Sequence, residues 1–271
     1  CALYALAVGA GGAEPQYTYE RDMQAIPTFG ATPYWGTVNV TPKLPRPRSI
    51  PVLVEEILKP EQSYVNLAYE FLYHRPIPPV KGSFVYRDVL TDLFDRGEGR
   101  GMAVRSQVEV FDEGGILLCT NRCTTLFPTL GGYGGRPMPR GDSPIPDRPA
   151  DLVERDHIGA AQNLLYRLTG DTNLVHVDRA VAVSRGLDGP FVHDLCAYGY
   201  ACRLAIAGLF PGQPERLRRM YAAMKTVLYP DTPVELHLWK LAPGRAAFRL
   251  CHGTTGKAIL DRGELEWDEV V

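Results

Sequence analysis

The stretch that decides the fold is residues 165–178, which read LYRLTGDTNLVHVD. An apolar run is followed there by a short polar loop that carries Asp171, Asn173 and His176. A carboxylate, an amide and an imidazole at this spacing can converge on one small volume, where they hold and activate a water molecule. The same residues also suit a plainer role, in which Asp171 and Asn173 cap a turn or helix start and His176 is a structural histidine.

Part of this stretch occurs a second time near the start of the chain. Residues 3–10 can be laid on residues 165–172, and such self-similarity predicts that the chain contains one structural unit twice. The two copies are unequal, because Gly9 falls where Asp171 stands and nothing in the first copy replaces the amide or the imidazole. Only the second half is therefore expected to carry the water-activating chemistry.

Each half predicts a helical segment followed by an antiparallel sheet, which is an α+β fold. Residues 195–209 are apolar on most sides and rich in Ala and Leu, which predicts a buried helix. The matching residues 30–36 contain a proline and two glycines, so no comparable helix is expected there. Residues 50–74 predict a further helix and strand. The other predicted strands are residues 82–94, 101–111 and 116–127 of the first half and 234–241, 246–252 and 258–267 of the second.

The two halves are joined by residues 131–149, which hold five glycines and five prolines without apolar periodicity. We place the boundary near residue 150. This gives an N-terminal domain of residues 1–150 and a C-terminal domain of residues 151–271.

Composition argues against several classes of protein. The 271 residues are 45% hydrophobic, which suffices for a packed core, and the net charge of -2 argues against a general binder of nucleic acid or of a membrane surface. The six cysteines lack paired spacing and predict reduced core residues of an intracellular protein. Residues 1–10 follow no basic region, so we expect no signal peptide and a cytoplasmic location. His176 and Asp178 have no further metal ligands nearby in the sequence, so we expect no metal site.

With these features on hand, the chain resembles the hydratase 2 family, the MaoC-like (R)-specific enoyl-CoA hydratases that include the hydratase part of peroxisomal multifunctional enzyme type 2. The family signature Tyr-Arg-Leu-x-Gly-Asp-x-Asn-Pro-Leu-His-x-Asp is matched by residues 166–178. A second motif, Gly-Phe-x-x-Pro-Ile-Leu-His-Gly-Leu-Cys, is matched by residues 186–196. The resemblance extends to the first half, at residues 3–10, 27–29, 61–62 and 131–136.

The resemblance implies a double hot-dog fold, in which two hot-dog repeats pack as a pseudo-dimer and their sheets continue across the join. The first repeat lacks the active site and the full central helix, and so makes room for the acyl tail. In the second repeat, Asp171 and His176 would activate the water and shuttle the C2 proton, and Asn173 would position the water. A backbone N–H just after His193 would polarise the thioester oxygen. Which of Asp171 and His176 acts as the acid stays open.

The implied reaction is the addition or loss of water between trans-2-enoyl and (R)-3-hydroxyacyl thioesters. The carrier would be coenzyme A or an acyl carrier protein, with no cofactor and no metal. By analogy with the family, we expect a homodimer that binds neither nucleic acid nor membrane, and a peroxisomal location if the source is a eukaryote.

Three positions depart from the family pattern, at Thr172, Leu174 and Asp194. Asp194 stands where the family has the glycine whose N–H forms the oxyanion hole. A carboxylate within ~4 Å of a developing oxyanion would cost roughly 4 kcal/mol at an effective dielectric constant of about 20. An oxyanion donor contributes about 3 to 4 kcal/mol, so an inward-pointing Asp194 would cripple ordinary hydratase chemistry.

Three interpretations of Asp194 follow from the sequence. In the first interpretation the Asp194 side chain points away from the oxyanion, and the chain is a hydratase or dehydratase. It is an extra acid or base in a repurposed biosynthetic enzyme that catalyses dehydration, isomerisation or cyclisation. In the third interpretation the chain is a non-catalytic acyl-thioester binding protein, against which the intact catalytic trio argues.

Overall fold

The computed structural model describes residues 1–32, 64–139, 141 and 143–269. Its named strands form a single antiparallel sheet of nine strands, in the spatial order β2-β3-β4-β1-β6-β9-β8-β7-β5. The four strands of the first half therefore lie side by side, and the five of the second half follow. The strands are β1 (Val65–Tyr73), β2 (Val85–Asp95), β3 (Met102–Phe111), β4 (Leu117–Phe127), β5 (Leu152–Ile158), β6 (Leu217–Met224), β7 (Thr232–Ala242), β8 (Arg245–His252) and β9 (Ala258–Trp267).

The two halves meet where β1 pairs with β6, with a register that runs from Ala68 opposite Ala223 to Leu72 opposite Arg219. Outward from this pair, the order β1-β4-β3-β2 on one side repeats as β6-β9-β8-β7 on the other. Equivalent strands thus meet about a pseudo-two-fold axis, as in the isologous contact of a dimer. The predicted continuity of the two sheets across the join is confirmed.

The helices are α1 (Ala2–Ala7), α2 (Gln162–Arg167), α3 (Arg179–Ser184) and α4 (Asp194–Leu209). The predicted buried helix is confirmed as α4, in which every residue from 195 to 206 is buried. It packs against the sheet of the second half. In the first half a short 3-10 helix, Pro27–Ala31, takes the corresponding place, and residues 33–36 and 50–63 of the predicted elements lie outside the described residues. None of the described helices is both long and apolar enough to cross a bilayer.

The N-terminal segment of the chain is bound tightly to the second half. The rings of Tyr4 and Tyr166, which are equivalent in the repeat, meet edge to face with centroids 6.1 Å apart. Arg203 of α4 is buried, donates to the carbonyl of Val8 at 2.9 Å and pairs with Glu14 at 2.7 Å. A buried guanidinium is tolerated only when its donors are paired in this way, so this segment and α4 form one packed unit.

All six predicted strands outside residues 50–74 are confirmed, with ends that differ by at most three residues, and β1 is the strand predicted within residues 50–74. Strands β5 and β6 were not predicted from the sequence. β6 reads LRRMYAAM and has none of the β-branched residues that favour strands, and β5 reads LVERDHI, with four consecutive polar residues at its centre. Their pairing with β7 and β1 comes from long-range contacts.

The connector between the halves is fixed to the first half by Asp95 at the end of β2. Its carboxylate accepts the N–H groups of Gly132 at 2.8 Å, Gly134 at 2.7 Å and Gly135 at 3.2 Å, and also that of Gly97. These hydrogen bonds, led by that from Gly132, lower the pKa of Asp95 to about 2. The Gly- and Pro-rich residues 131–135 are thus anchored without forming a helix or strand.

Gly199 lies in the middle of α4, where a side chain would collide with the N-terminal segment. A Cβ at this position would lie 2.7 Å from the Tyr4 hydroxyl oxygen and would also overlap Val8. We expect Gly199→Ala to lower the free energy of unfolding by about 1–3 kcal/mol through overpacking, although alanine favours a helix by ~1 kcal/mol over glycine. Urea unfolding measures the change. Gly11→Ala, where a Cβ meets nothing within 4 Å, is the control, and an unchanged or higher stability of Gly199→Ala would contradict this close packing.

Candidate active site

The polar loop between α2 and α3 is shaped by local hydrogen bonds. Gly170 has a φ of 132°, a conformation that favours glycine, and it turns the chain after α2. Asp171 Oδ1 accepts the N–H of Asn173 at 3.1 Å, and Asn173 Oδ1 accepts the N–H of Val175 at 3.2 Å. The capping contacts of the plainer interpretation are therefore present. They use one oxygen each of the carboxylate and the amide, and leave the second carboxylate oxygen and the amide nitrogen without a partner among the described residues.

Asp178, at the end of the loop, has a separate structural task. Its Oδ1 accepts the N–H groups of Ala180 at 2.8 Å and Val181 at 3.2 Å, which caps the start of α3. It therefore fixes the exit of the loop and does not join His176 in a ligand pair.

Three side chains converge at the centre of the site. One carboxylate oxygen of Asp171 and one ring nitrogen each of His176 and His193 all lie within 4.8 Å of one another. The two imidazole rings stack with centroids 3.7 Å apart and an interplanar angle of 25°. Asp171 and His176 were expected to meet, whereas His193 was expected only to precede the N–H that polarises the thioester oxygen. The ring of His193 is an additional member that no spacing rule indicated.

The hydrogen bonds of His176 define its state. Its Nδ1 lies 3.0 Å from the carbonyl oxygen of Phe191, and because a carbonyl only accepts, Nδ1 carries the hydrogen and Nε2 is left as an acceptor in the neutral ring. Asn163 Nδ2 donates to the backbone carbonyl of His176 at 2.6 Å and ties the loop to α2. Burial lowers the pKa of His176, against the opposing charge of Asp171. At neutral pH His176 is thus an uncharged base.

His193 is held more tightly still, with 1% of its surface exposed. Its Nε2 lies 3.3 Å from the carbonyl oxygen of Asp171 and donates to it, while the buried Nδ1 has no partner among the described residues. Burial, with a smaller contribution from His176, lowers the pKa of His193 to about 2. The ring also packs on Tyr166, with centroids 4.9 Å apart. His193 therefore supports the orientation of Asp171 and His176 as a neutral group.

Asp171, His176 and His193 are the one group in the described part of the chain with enough clustered ligand atoms for a metal ion. Catalytic zinc sites use three protein ligands whose lone pairs point at the ion. The rings of His176 and His193 are close to parallel, and His176 Nδ1 and His193 Nε2 already bond to the carbonyl oxygens of Phe191 and Asp171. One nitrogen of each ring therefore remains for a water molecule, a substrate oxygen or an ion.

Asp194 is the first residue of α4, and its side chain extends across the join. N–H groups at the start of a helix have no partner within the helix and carry the positive end of its dipole. Asn66 Nδ2 of β1 donates to Asp194 Oδ2 at 3.4 Å. Burial raises the pKa of Asp194 to about 6, the charge of Asp171 acts in the same direction, and Asn66 opposes it. The carboxyl group thus faces the first half and loses its charge more readily than an ordinary aspartate, which weakens the electrostatic objection raised by the sequence.

The two buried histidines are expected to make the free energy of unfolding depend on pH. Folding lowers the pKa of His176 and of His193 below the usual value of about 6.5. Below about pH 6.5 the unfolded chain therefore binds protons at these two rings that the folded chain does not bind. The free energy of unfolding therefore falls as the pH falls from 7 towards 6. Below about pH 6, Asp194 opposes this trend, because its folded pKa exceeds its unfolded value.

Urea unfolding at pH 7.5, 6.5 and 6.0 tests this, and His193→Asn is expected to remove part of the fall. His157, which is exposed and pairs with Asp231, provides the control variant His157→Gln, which is expected to keep the fall. A parent protein with equal stability at all three pH values would show that the two rings are not buried as neutral groups.

Two family models match the chain. Residues 1–128 match the MFE-2 hydratase 2 N-terminal domain, and residues 142–261 match the MaoC like domain. The chain is 30% identical over 284 residues to 3-hydroxyacyl-thioester dehydratase Y of Mycobacterium tuberculosis, which covers 98% of this chain and 90% of that protein. It is 29% identical over 269 residues to the peroxisomal multifunctional enzyme type 2 of Drosophila melanogaster. That match covers 95% of this chain but 43% of the relative, so the chain spans less than half of it.

Solved structures agree on the fold. A MaoC-like dehydratase from Phytophthora capsici superposes with a TM-score of 0.86 at 23% identity, over 99% of this chain and 92% of that one. A conserved protein from Mycobacterium tuberculosis, described as having a double hotdog fold, superposes with a TM-score of 0.56 at 13% identity, over 98% of this chain and 84% of that one. The predicted double hot-dog fold is thereby confirmed.

Proposed function

The chain belongs to the MaoC-like, hydratase 2 family, and on this premise we propose that it is a hydro-lyase that interconverts trans-2-enoyl and (R)-3-hydroxyacyl thioesters. The observation that carries the proposal is the approach of the Asp171 carboxylate and the neutral His176 ring to within 4.8 Å. Two acceptors at this separation can each take one hydrogen bond from the same water molecule. The relatives named as hydratases and dehydratases of acyl thioesters support the same chemistry.

The proposed mechanism adds water to one face of the double bond. The water donates one hydrogen to His176 Nε2 and one to Asp171, and its oxygen forms the new bond to C3 of the enoyl group. The residue that takes the proton returns it to C2 from the same side, so the sum is one added water and a syn product. The backbone N–H of Asn173 donates to the Asp171 carboxylate, which keeps the two residues together. We assign the amide nitrogen of Asn173 the role of orienting the water.

Charge on the thioester oxygen is the costly feature of this reaction, because attack at C3 turns the carbonyl into an enolate. We assign its stabilisation to the N–H at the start of α4, contributed by Asp194, together with the dipole of that helix. A side chain at this position keeps the N–H. The Asp194 carboxyl group hydrogen-bonds to Asn66 of the first half, so its charge is partly dispersed away from the carbonyl.

This arrangement favours a hydratase or dehydratase over the other two interpretations. The Asp194 carboxyl group is not part of the cluster formed by Asp171, His176 and His193, so it is poorly placed as a third acid or base on the reacting carbons. A binding protein would gain nothing from burying a neutral His176 beside a carboxylate, because burial of such groups costs free energy.

The remaining parts of the proposal concern the surroundings of the site. We assign the acyl thioester to coenzyme A or an acyl carrier protein, and no metal or other cofactor to the reaction. Residues 1–150 would accommodate the acyl tail and residues 151–271 supply the chemistry. By analogy with the family, we also propose that two chains form a homodimer. Its proposed location is the cytoplasm or, in a eukaryote, the peroxisome.

The experiment is hydration of crotonyl-CoA and trans-2-hexenoyl-CoA, followed by loss of the conjugated enoyl absorbance and by chiral chromatography of the product. We expect the (R)-3-hydroxyacyl product, and at least a hundredfold loss of kcat in Asp171→Asn and His176→Gln, since general acid or base groups contribute about 10²- to 10⁴-fold.

The matched controls are Asp188→Asn and His157→Gln, which change exposed residues of the same types and are expected to stay within about twofold of the parent. Turnover that survives in Asp171→Asn and His176→Gln would place the chemistry elsewhere. An (S) product would refute the proposed face of addition.

A further inference from the structure

A polar patch of the first half faces the start of α4 across the join. We call Asn66, Cys123 and Thr125 the acyl-side patch. Asn66 on β1 is the register partner of Thr125 on β4, and Tyr69 is the partner of Cys123, and residues directly opposite in an antiparallel pair share a face of the sheet. The ring of Tyr69 lies 6.2 Å from that of Tyr198 on α4, so this face is turned towards α4.

The amide of Asn66 is oriented by its neighbours. Thr125 Oγ1 donates to Asn66 Oδ1 at 3.2 Å, and Cys123 Sγ donates to the same oxygen at 3.5 Å. With its oxygen engaged twice on β4, the amide must direct Nδ2 the other way, and Nδ2 donates to Asp194 Oδ2 at 3.4 Å. A pair 128 residues apart in the chain is thus aligned by the sheet of one half and the helix of the other.

This pair has unused hydrogen-bonding capacity. Asn66 Nδ2 carries two hydrogens and the Asp194 carboxyl group has two oxygens, yet within the described ranges each group makes only the one bond to the other. Both residues are half-buried, and the second hydrogen and the second oxygen are the bonding positions that a ligand would use. A donor beside an acceptor matches a hydroxyl group, which accepts one hydrogen bond and donates another.

We propose that Asn66 and Asp194 form a clamp that recognises a hydroxyl group on the acyl chain beyond C3. This deepens the proposed function and rests on it, because that function sets the thioester at the start of α4 and runs the acyl chain towards the first half. A plain alkyl chain laid over the pair would remove its water without replacing the hydrogen bonds. A site built to bond a substrate hydroxyl discriminates strongly against the analogue that lacks it.

The test compares trans-2-hexenoyl-CoA with its 4-, 5- and 6-hydroxy analogues. We expect the parent protein to convert at least one hydroxylated substrate with a kcat/KM at least tenfold above that of the alkyl substrate. Asn66→Leu removes the donor at similar volume, and Asp194→Ala removes the carboxyl group but keeps the N–H. Each is expected to shift that ratio at least tenfold towards the alkyl substrate.

A matched pair of variants separates recognition from folding. Thr125→Val removes a donor that orients Asn66, whereas Thr124→Val changes the neighbouring buried threonine, whose side chain lies on the other face of β4. We expect the hydroxyl preference to fall in Thr125→Val and to stay at the parent value in Thr124→Val. Equal preferences in all variants and the parent would overturn the clamp.

Binding of saturated thioesters keeps this test apart from that of catalysis. Titration calorimetry with hexanoyl-CoA and the hydroxyhexanoyl-CoA isomers measures recognition without turnover. Tenfold tighter binding of one hydroxylated ligand, lost in Asn66→Leu, supports the clamp even in a protein that hydrates nothing, and then only the proposed reaction fails. Hydration of the alkyl substrate with binding that ignores the hydroxyl, or no binding of any of these ligands, overturns the clamp.

Discussion

The burial of α4 is the constraint on which the rest of the structure depends. A helix satisfies its own backbone hydrogen bonds, but each of its buried sides must pack against other residues. The helix α4 is buried along almost its whole length. The sheet of the second half covers one side only. The N-terminal segment supplies cover elsewhere, with Tyr4 and Val8 so close to Gly199 that no side chain fits there. The second half is therefore completed by the N-terminal segment, through contacts of α4 with Tyr4, Val8 and Glu14.

The join between the halves follows from the same constraint. Because β1 and β6 pair as equivalent strands, the pseudo-two-fold axis brings each half against the other and would create two equivalent sites. Only the second half carries the loop of Asp171, Asn173 and His176, since Gly9 stands at the position of Asp171 in the first copy. The first half instead contributes side chains such as Asn66 that face the start of α4. In the proposed reaction, one half thus supplies the reacting groups, and the other forms part of their surroundings.

Electrostatics at the site are governed by burial more than by pairing. His176 and His193 are kept neutral by desolvation, and the same cause pushes the pKa of Asp194 upward to about 6. A site with fewer net charges can hold a neutral water and still favour the charge that develops on a thioester oxygen, because fixed N–H dipoles need no reorganisation when that charge appears. The two rings stack with centroids 3.7 Å apart. A proton on His193 would therefore repel a proton on His176, which also lowers the pKa of His193.

The sequence by itself determined the α+β class, the doubled unit, α4 and most strands, because the spacing of apolar residues along a helix or strand is a local signal. Strands β5 and β6 lacked those signals, and their place in the sheet depends on partners far along the chain. The loop of Asp171, Asn173 and His176 was also readable, because its members lie within six residues. Only the tertiary structure decided that His193 stacks on His176 and that Asp194 reaches Asn66. The first contact forms when the polar loop folds against the start of α4, and the second when that helix start packs against a strand of the other half, and no local pattern encodes either distance.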